Sequence, residues 1–281
     1  GGEGRIVRIN GFQGAFSRKA KIAQITVADE EGVWLSLTDV LLEWNRSALL
    51  RGRLDIEQLS AAEVSLIRPP KAPESDLPTA ESSGFALPSL PVAVQINALN
   101  IERILLGEAV LGDPAEMTLK ASASLENGSA AVKLEALRID DHKGKFIVDA
   151  SYDAQTQNIL VDLELCEAKN GLIARALNIE GRPDLQLTVT GEGSIDDLVT
   201  FIALETDGAA RMKGQVTLKG KTNADRDFSV DLAGNMSALI PKEYRRFFGS
   251  KTAIKANGRR SPAGAFELSD INLKTGALNL Q

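Results

Sequence analysis

The sequence predicts a mostly β protein, a long and largely antiparallel sheet with a few short helices, and three observations lead there. The first is a six-residue pattern, apolar-x-x-apolar-x-apolar. It recurs at Ile22/Ile25/Val27, Leu37/Val40/Leu42, Ile96/Leu99/Ile101, Leu134/Leu137/Ile139 and Leu268/Ile271/Leu273. The second is a turn glycine (Gly32, Gly144, Gly276) soon after three of these copies, before a new strand-like run at Val33/Leu35/Leu37, Phe146/Val148 or Leu278/Leu280. The third is clean alternation elsewhere: Ile159, Val161, Leu163 and Leu165 interleave with Asp162 and Glu164, and Leu185, Leu187 and Val189 with Gln186 and Thr188. Val216/Leu218 and Phe228/Val230/Leu232 alternate in the same way. Period two with a polar opposite face is the pattern of a sheet covered on one side only.

Along the chain, residues 1–68 read as a first β segment, opening on Gly1-Gly2-Glu3-Gly4 without a methionine, as expected of an excerpt from a longer protein. Within it, Ser47–Gly52 has the spacing of one helical turn closed by glycine. Between residues 69 and 91 six of the ten prolines fall together. Proline cannot donate to a strand ladder, so this stretch is expected to be a poorly ordered loop, with Phe85, Leu87 or Leu90 as potential plugs. Residues 92–281 continue the β pattern, with helical spacing near 168–179 and 236–249. In the latter, Leu239, Ile240, Tyr244, Phe247 and Phe248 share a face, Pro241 suits a first turn and Gly249 a stop. Lys242, Arg245 and Arg246 leave two readings open, a cap on the sheet or a basic amphipathic helix that touches an anionic membrane.

Composition narrows the function. Apolar residues make up 43% of 281 but aromatics only 5%, so any core is aliphatic. A net charge of −6 argues against nucleic-acid binding. The single cysteine, Cys166, excludes an internal disulfide framework and reads as a packed small residue. The single histidine, His142, reads as an exposed turn residue. No phosphate loop, dinucleotide fingerprint, zinc spacing or nucleophile elbow occurs, and Gly191-Glu192-Gly193-Ser194 lacks the helix and lysine a phosphate loop requires. The expectation is a non-enzyme with no catalytic residues, metal or cofactor.

One stretch is more specific. Ile25 to Leu37, with Gly32-Val33-Trp34, runs on through Val40 to Leu54 with Trp44-Asn45-Arg46-Ser47-Ala48-Leu49-Leu50-Arg51-Gly52, then Ile56, Leu59 and Val64–Pro70. With Arg8–Gly14, Ile96–Ile101 and Pro241–Gly249 in matching order, it resembles the amino-terminal region of the TamB family, within the wider AsmA-like group. That resemblance implies an elongated, twisted, U-shaped antiparallel β-groove with an apolar inner face, in the manner of repeating β-groove bridge-like lipid transfer proteins. It implies a periplasmic segment of a much longer, inner-membrane-anchored parent. It also implies an outer-membrane BamA-like barrel partner (TamA or BamA), reached through parts absent from these residues.

The leading reading is therefore a segment of a periplasm-spanning conduit for phospholipid, with acyl chains as partners and headgroups in water. Its lining is expected to be Ile96, Leu99, Ile101, Leu134, Leu137, Ile139, Val161, Leu163, Leu165, Leu185, Leu187, Val189, Val216, Leu218, Phe228 and Val230. The same residues would serve an ordinary sandwich core. An alternative function is a protein-assembly module that aids outer-membrane barrel or autotransporter insertion by strand pairing. A third is a passive β-rich spacer.

Overall fold

The computed structural model describes residues 5–14, 17–71, 92–220, 225–261, 265–277 and 279–280. The proline-rich stretch beyond Lys71, with Phe85, Leu87 and Leu90, lies outside the described residues, as does Leu278. The protein is mostly β, with sixteen strands among the described residues. They are β1 (Ile6–Asn10), β2 (Lys19–Asp29), β3 (Gly32–Trp44), β4 (Arg53–Leu66), β5 (Ala93–Leu106), β6 (Ala115–Glu126), β7 (Ser129–Arg138) and β8 (Gly144–Tyr152), followed by β9 (Asn158–Glu167), β10 (Leu185–Ser194), β11 (Asp197–Thr206), β12 (Ala209–Gly220), β13 (Arg226–Gly234), β14 (Thr252–Arg260), β15 (Phe266–Lys274) and β16 (Asn279–Leu280). Four short helices interrupt them: α1 (Arg46–Leu49), α2 (Glu108–Leu111), α3 (Leu172–Ala176) and α4 (Arg245–Phe248). The chain divides into two compact units. The first contains β1 to β6 and Val132–Lys143; the second contains Gly128–Ala131 and Gly144–Gln281.

Three of the helices fall where the spacing places them, and α2 had no periodicity to announce it. The segment read as one helix over 236–249 is broken into two 3-10 turns, Met236–Ala238 and Lys242–Tyr244, followed by α4. Pro241 is the reason for the break: it stands in extended backbone as the cap of the second turn. Gly249, at φ 66°, ends α4.

Within each unit every strand pairs with the one before it in the sequence. The ladder between β4 and β5 is parallel, whereas β1 to β4 and β5–β6 pair antiparallel. Parallel neighbours need a connection that travels back the length of a strand, and the long stretch between Leu66 and Ala93 is what provides the reach. The strands on its two sides are thus direct neighbours in the first unit.

In β5 and β15 the six-residue apolar pattern has a structural cause. In a regular strand, positions three apart face opposite sides. In β5, however, Ile96 pairs with Ala123, Leu99 with Ala121, Ile101 with Leu119, Ile104 with Met117 and Leu106 with Ala115. Five apolar residues of β5 with uneven spacing therefore meet five evenly spaced residues of β6. The register shifts between Ile96 and Leu99 and again between Ile101 and Ile104, so each x-x pair holds a β-bulge. β4 carries the same spacing in step, with Ile56, Leu59, Ala61, Val64 and Leu66 beside Ile96, Leu99, Ile101, Ile104 and Leu106. In β15 a bulge at Ser269 likewise brings Leu268 and Ile271 to one face. The pattern keeps one face apolar through each irregularity.

In the first unit, the turn between β2 and β3 is tied to the end of β4. Asp29 accepts a hydrogen bond from Arg68 Nη1 at 2.9 Å and a second from Nη2, and also from the amides of Glu31 and Lys71. Chiefly through the Arg68 bonds, its carboxyl is held far below the usual carboxylate range. At the end of β7, burial pushes the Asp140 carboxyl up, but the Arg138 guanidinium at 2.7 Å and the amides of Glu116 and His142 outweigh it and hold it low. His142 is half-exposed in this turn.

Candidate functional site

The candidate site is the apolar face of the sheet. In the second unit the ladders place one row after another on it. Leu165, Leu187, Leu204 and Met212 are successive partners from β9 to β12. The next row is Val148, Leu163, Val189, Ile202, Gly214, Leu232, Ile254 and Leu273, spanning β8 to β15. A third holds Ala150, Val161, Gly191, Thr200, Val216, Val230, Ala256 and Ile271. A fourth includes Leu198, Leu218, Phe228, Gly258 and Leu268. All ten residues expected to line a groove from Val161 to Val230 therefore share one face, Leu185 included, since it pairs with Glu167 in step with Leu187.

In the first unit Ile96, Leu99 and Ile101 share a face with Leu59, Ala61, Leu119, Ala121 and Ala123. Leu134 and Leu137 lie in β7; Ile139 falls just beyond its end and is half-exposed.

The opposite face of the second unit is polar and cross-linked by charge: Lys145 meets Glu164 at 2.8 Å, Lys255 meets Asp231 at 3.0 Å and Arg259 meets Asp227 at 3.3 Å. Cys166 lies on this face, paired with Lys145 and Gln186. Its thiol donates to Glu164 at 3.4 Å, and burial, then that carboxylate, push its pKa up, the reverse of an activated nucleophile.

The apolar face is thinly covered. Apart from Leu185, Leu198 and Gly258, which are buried, the residues of these rows are half-buried or, at Leu268 and Ile271, exposed. Among the described residues, buried packing on this face is seen at one rim. There α3 and the residues after it bring Ala174 and Ile179 against Leu185, with Leu165, Ile173, Leu187, Leu204 and Leu239 packed around them. Glu167, at the end of β9, fixes this cover: its two carboxylate oxygens accept the amides of Leu172 at 3.0 Å and Ile173 at 2.8 Å. The segment after β13 joins it, because Glu180 meets Lys242 at 2.5 Å and Arg245 at 2.9 Å. Lys242, then Arg245, hold the Glu180 carboxyl below its ordinary range.

The apolar residues of 236–249 are thereby divided. Leu239 packs on the cover, Ile240 and Phe248 are half-buried, and Tyr244 and Phe247 remain exposed.

Sequence reasoning missed a large part of the lining. Phe146, Val148, Leu198, Ile202, Leu204, Leu232 and Ile254 lie on the same face but are absent from the expected lining, although the alternation marks Phe146, Val148 and Leu232 as strand residues. The available signal was period two in 198–204 and 252–256, diluted by Thr200, Thr252 and Ala256. Among the described residues no group of histidine, cysteine or carboxylate side chains could hold a metal ion, and no helix is long and apolar enough to cross a membrane. No family model matches the chain, no curated protein matches it, and no solved structure matches its fold.

Proposed function

We propose that the protein is a segment of a periplasm-spanning conduit that carries phospholipid between inner and outer membranes along the apolar face of its sheet. The observation that carries this reading is an apolar face at least four rows deep in the second unit, with no second sheet of that unit upon it among the described residues. The resemblance to the TamB family supports it. A half-buried apolar face of this extent in a protein with so few aromatics suits a flexible aliphatic ligand better than a protein partner, whose interfaces favour aromatic anchors. Each methylene moved from water is worth about 0.8 kcal/mol, so a sixteen-carbon chain gains roughly 12 kcal/mol. Distributed over repeating rows, that gain changes little as the chain shifts along the face, which permits sliding.

The test is mass spectrometry of lipid that copurifies with wild type and with two glutamate variants. Leu163→Glu puts a charge in the middle of the apolar face, and Ser229→Glu puts one on the polar face beside Thr217 and Asn257. Folded Leu163→Glu protein with lipid lost, and Ser229→Glu with lipid kept, is the expected result. Equal lipid on both variants, or none on wild type, would refute the conduit.

A further inference from the structure

The connections 168–184, 207–208 and 235–251 lie at one rim of the second unit, because β9 to β14 pair antiparallel in succession. The first two balance in charge, with Lys169, Arg175 and Arg182 against Glu180, Asp184 and Asp207. The third does not: Lys242, Arg245, Arg246 and Lys251 stand against Glu243 alone. Glu180 holds Lys242 and Arg245. Arg246 and Lys251 are exposed and, among the described residues, meet no carboxylate. This rim is therefore basic in a chain whose net charge is −6.

The same rim holds large apolar side chains in water. Leu177, which caps the end of α3, is 66% exposed, Tyr244 59% and Phe247 39%. They stand on a pinned mount. The amides of Gly276 and Ala277, in the turn after β15, donate to the carbonyls of Phe248 at 2.9 Å and Phe247 at 3.1 Å. Arg245 Nε donates to the Ile240 carbonyl at 3.1 Å, and the Phe247 and Phe248 rings meet edge-on at 5.1 Å. The fold packs Leu239 on the cover and fixes α4, yet leaves Tyr244 and Phe247 outside.

We infer that this rim docks on the surface of an anionic phospholipid bilayer, with Leu177, Tyr244 and Phe247 entering the interface and Arg246 and Lys251 at the phosphates. This rests on the conduit reading and adds to it the rim that meets the bilayer. The rim is continuous with the track: Ile173 and Leu239 share one apolar cluster with Leu187 and Leu204 of the first row. Tyrosine joins an apolar ring to a hydroxyl and suits the headgroup level, and basic side chains are drawn to anionic headgroups. The chain as a whole is acidic and repelled by such a surface, so the basic rim also sets the orientation of approach.

The experiment is cosedimentation of the full chain with vesicles of phosphatidylcholine alone and of phosphatidylcholine mixed with phosphatidylglycerol. Wild type is expected to bind the mixed vesicles about tenfold more tightly, and less so as salt rises. Tyr244→Ser with Phe247→Ser, and separately Arg246→Gln with Lys251→Gln, should each weaken that binding about tenfold. Phe201→Ser, which removes a comparably exposed ring from the polar face, should leave it unchanged. On wild type, mixed vesicles should slow amide hydrogen exchange at 242–249, which reads the contact even if a double variant fails to fold. Equal binding to the two vesicle types, binding retained in a folded aromatic pair, binding lost in folded Phe201→Ser protein, or slowed exchange elsewhere without any at 242–249 would overturn the docking surface. So would a dimer that forms without vesicles and is abolished in the aromatic pair, since the patch would then be a contact between copies. Lipid copurified with wild type separates this inference from the conduit: copurified lipid without vesicle binding overturns the docking and leaves the conduit standing, and the absence of both overturns both.

Discussion

Arg68 donates through both terminal nitrogens to the carboxylate of Asp29, joining the end of β4 to the turn that opens β3. The two side chains are largely shielded from solvent, and the same carboxylate receives the amides of Glu31 and Lys71. A carboxylate so surrounded must stay charged for the turn and the strand end to remain joined.

The sign of its pH effect follows. The Asp29 carboxyl is depressed in the folded state, so the unfolded chain takes up its proton first as pH falls. Its contribution is complete above about pH 5 and is lost as pH drops through about 4 and below. Asp29→Asn is expected to melt lower than wild type at pH 7, with the gap narrowing as pH falls below about 4 and still open at pH 3. Thermal melting by circular dichroism across this range checks it; a constant gap would mean that the pair contributes nothing through charge.

Gly171 is required by the cap on α3. A Cβ at this position would sit 2.5 Å from Glu167 Oε2 and 2.7 Å from its carboxyl carbon. Gly171→Ala must push the carboxylate off the amides of Leu172 and Ile173, at a cost of about 1–2 kcal/mol. Denaturant unfolding would show the loss. In a Glu167→Ala background, which removes the cap itself, the cost of Gly171→Ala should fall but not vanish, because the Cβ of residue 167 still lies 2.8 Å from the added methyl.

The bulges make two neighbouring deletions unequal. Removing Ala98 leaves Ile96 and Leu99 two positions apart, which keeps both on the apolar face against the regular β6. Removing Asn100 makes Leu99 and Ile101 adjacent and turns Ile101, Ile104 and Leu106 toward the polar side. At about 1 kcal/mol for each half-buried side chain, the second deletion should cost about 3 kcal/mol and the first clearly less. Equal losses in urea unfolding would contradict the bulge assignment.

Two leucines on the same face should respond differently to charge. Leu187 packs against the α3 cluster, whereas Leu163, its diagonal neighbour one row on, lies outside it. Leu187→Glu buries a carboxylate under the cover and is expected to destabilise by about 2 kcal/mol or more. Leu163→Glu can extend its carboxylate to water across an uncovered row and should melt within a few degrees of wild type. Reversed effects in a melting comparison would place the cover elsewhere.

The sequence by itself determined the strand-rich class, most strand positions and which residues of Val161–Val230 share a face. Alternation is a local property: Leu163 and Leu165 must point the same way in any extended strand. The resemblance of Ile25–Pro70 to a groove-forming family pointed to the same single sheet. Tertiary structure alone decided four things: the parallel β4–β5 ladder, the reason for the apolar-x-x-apolar spacing, the cover of one rim by α3 and Leu239, and the meeting of Glu180 with Lys242 and Arg245. Each depends on register between segments far apart in the chain. A one-residue bulge leaves no mark on composition, and Glu180 and Arg245, 65 positions apart, become neighbours only when the strands between them have paired. Whether the apolar face is sealed or open is decided by what packs upon it, and that is fixed by the fold as a whole rather than by any strand.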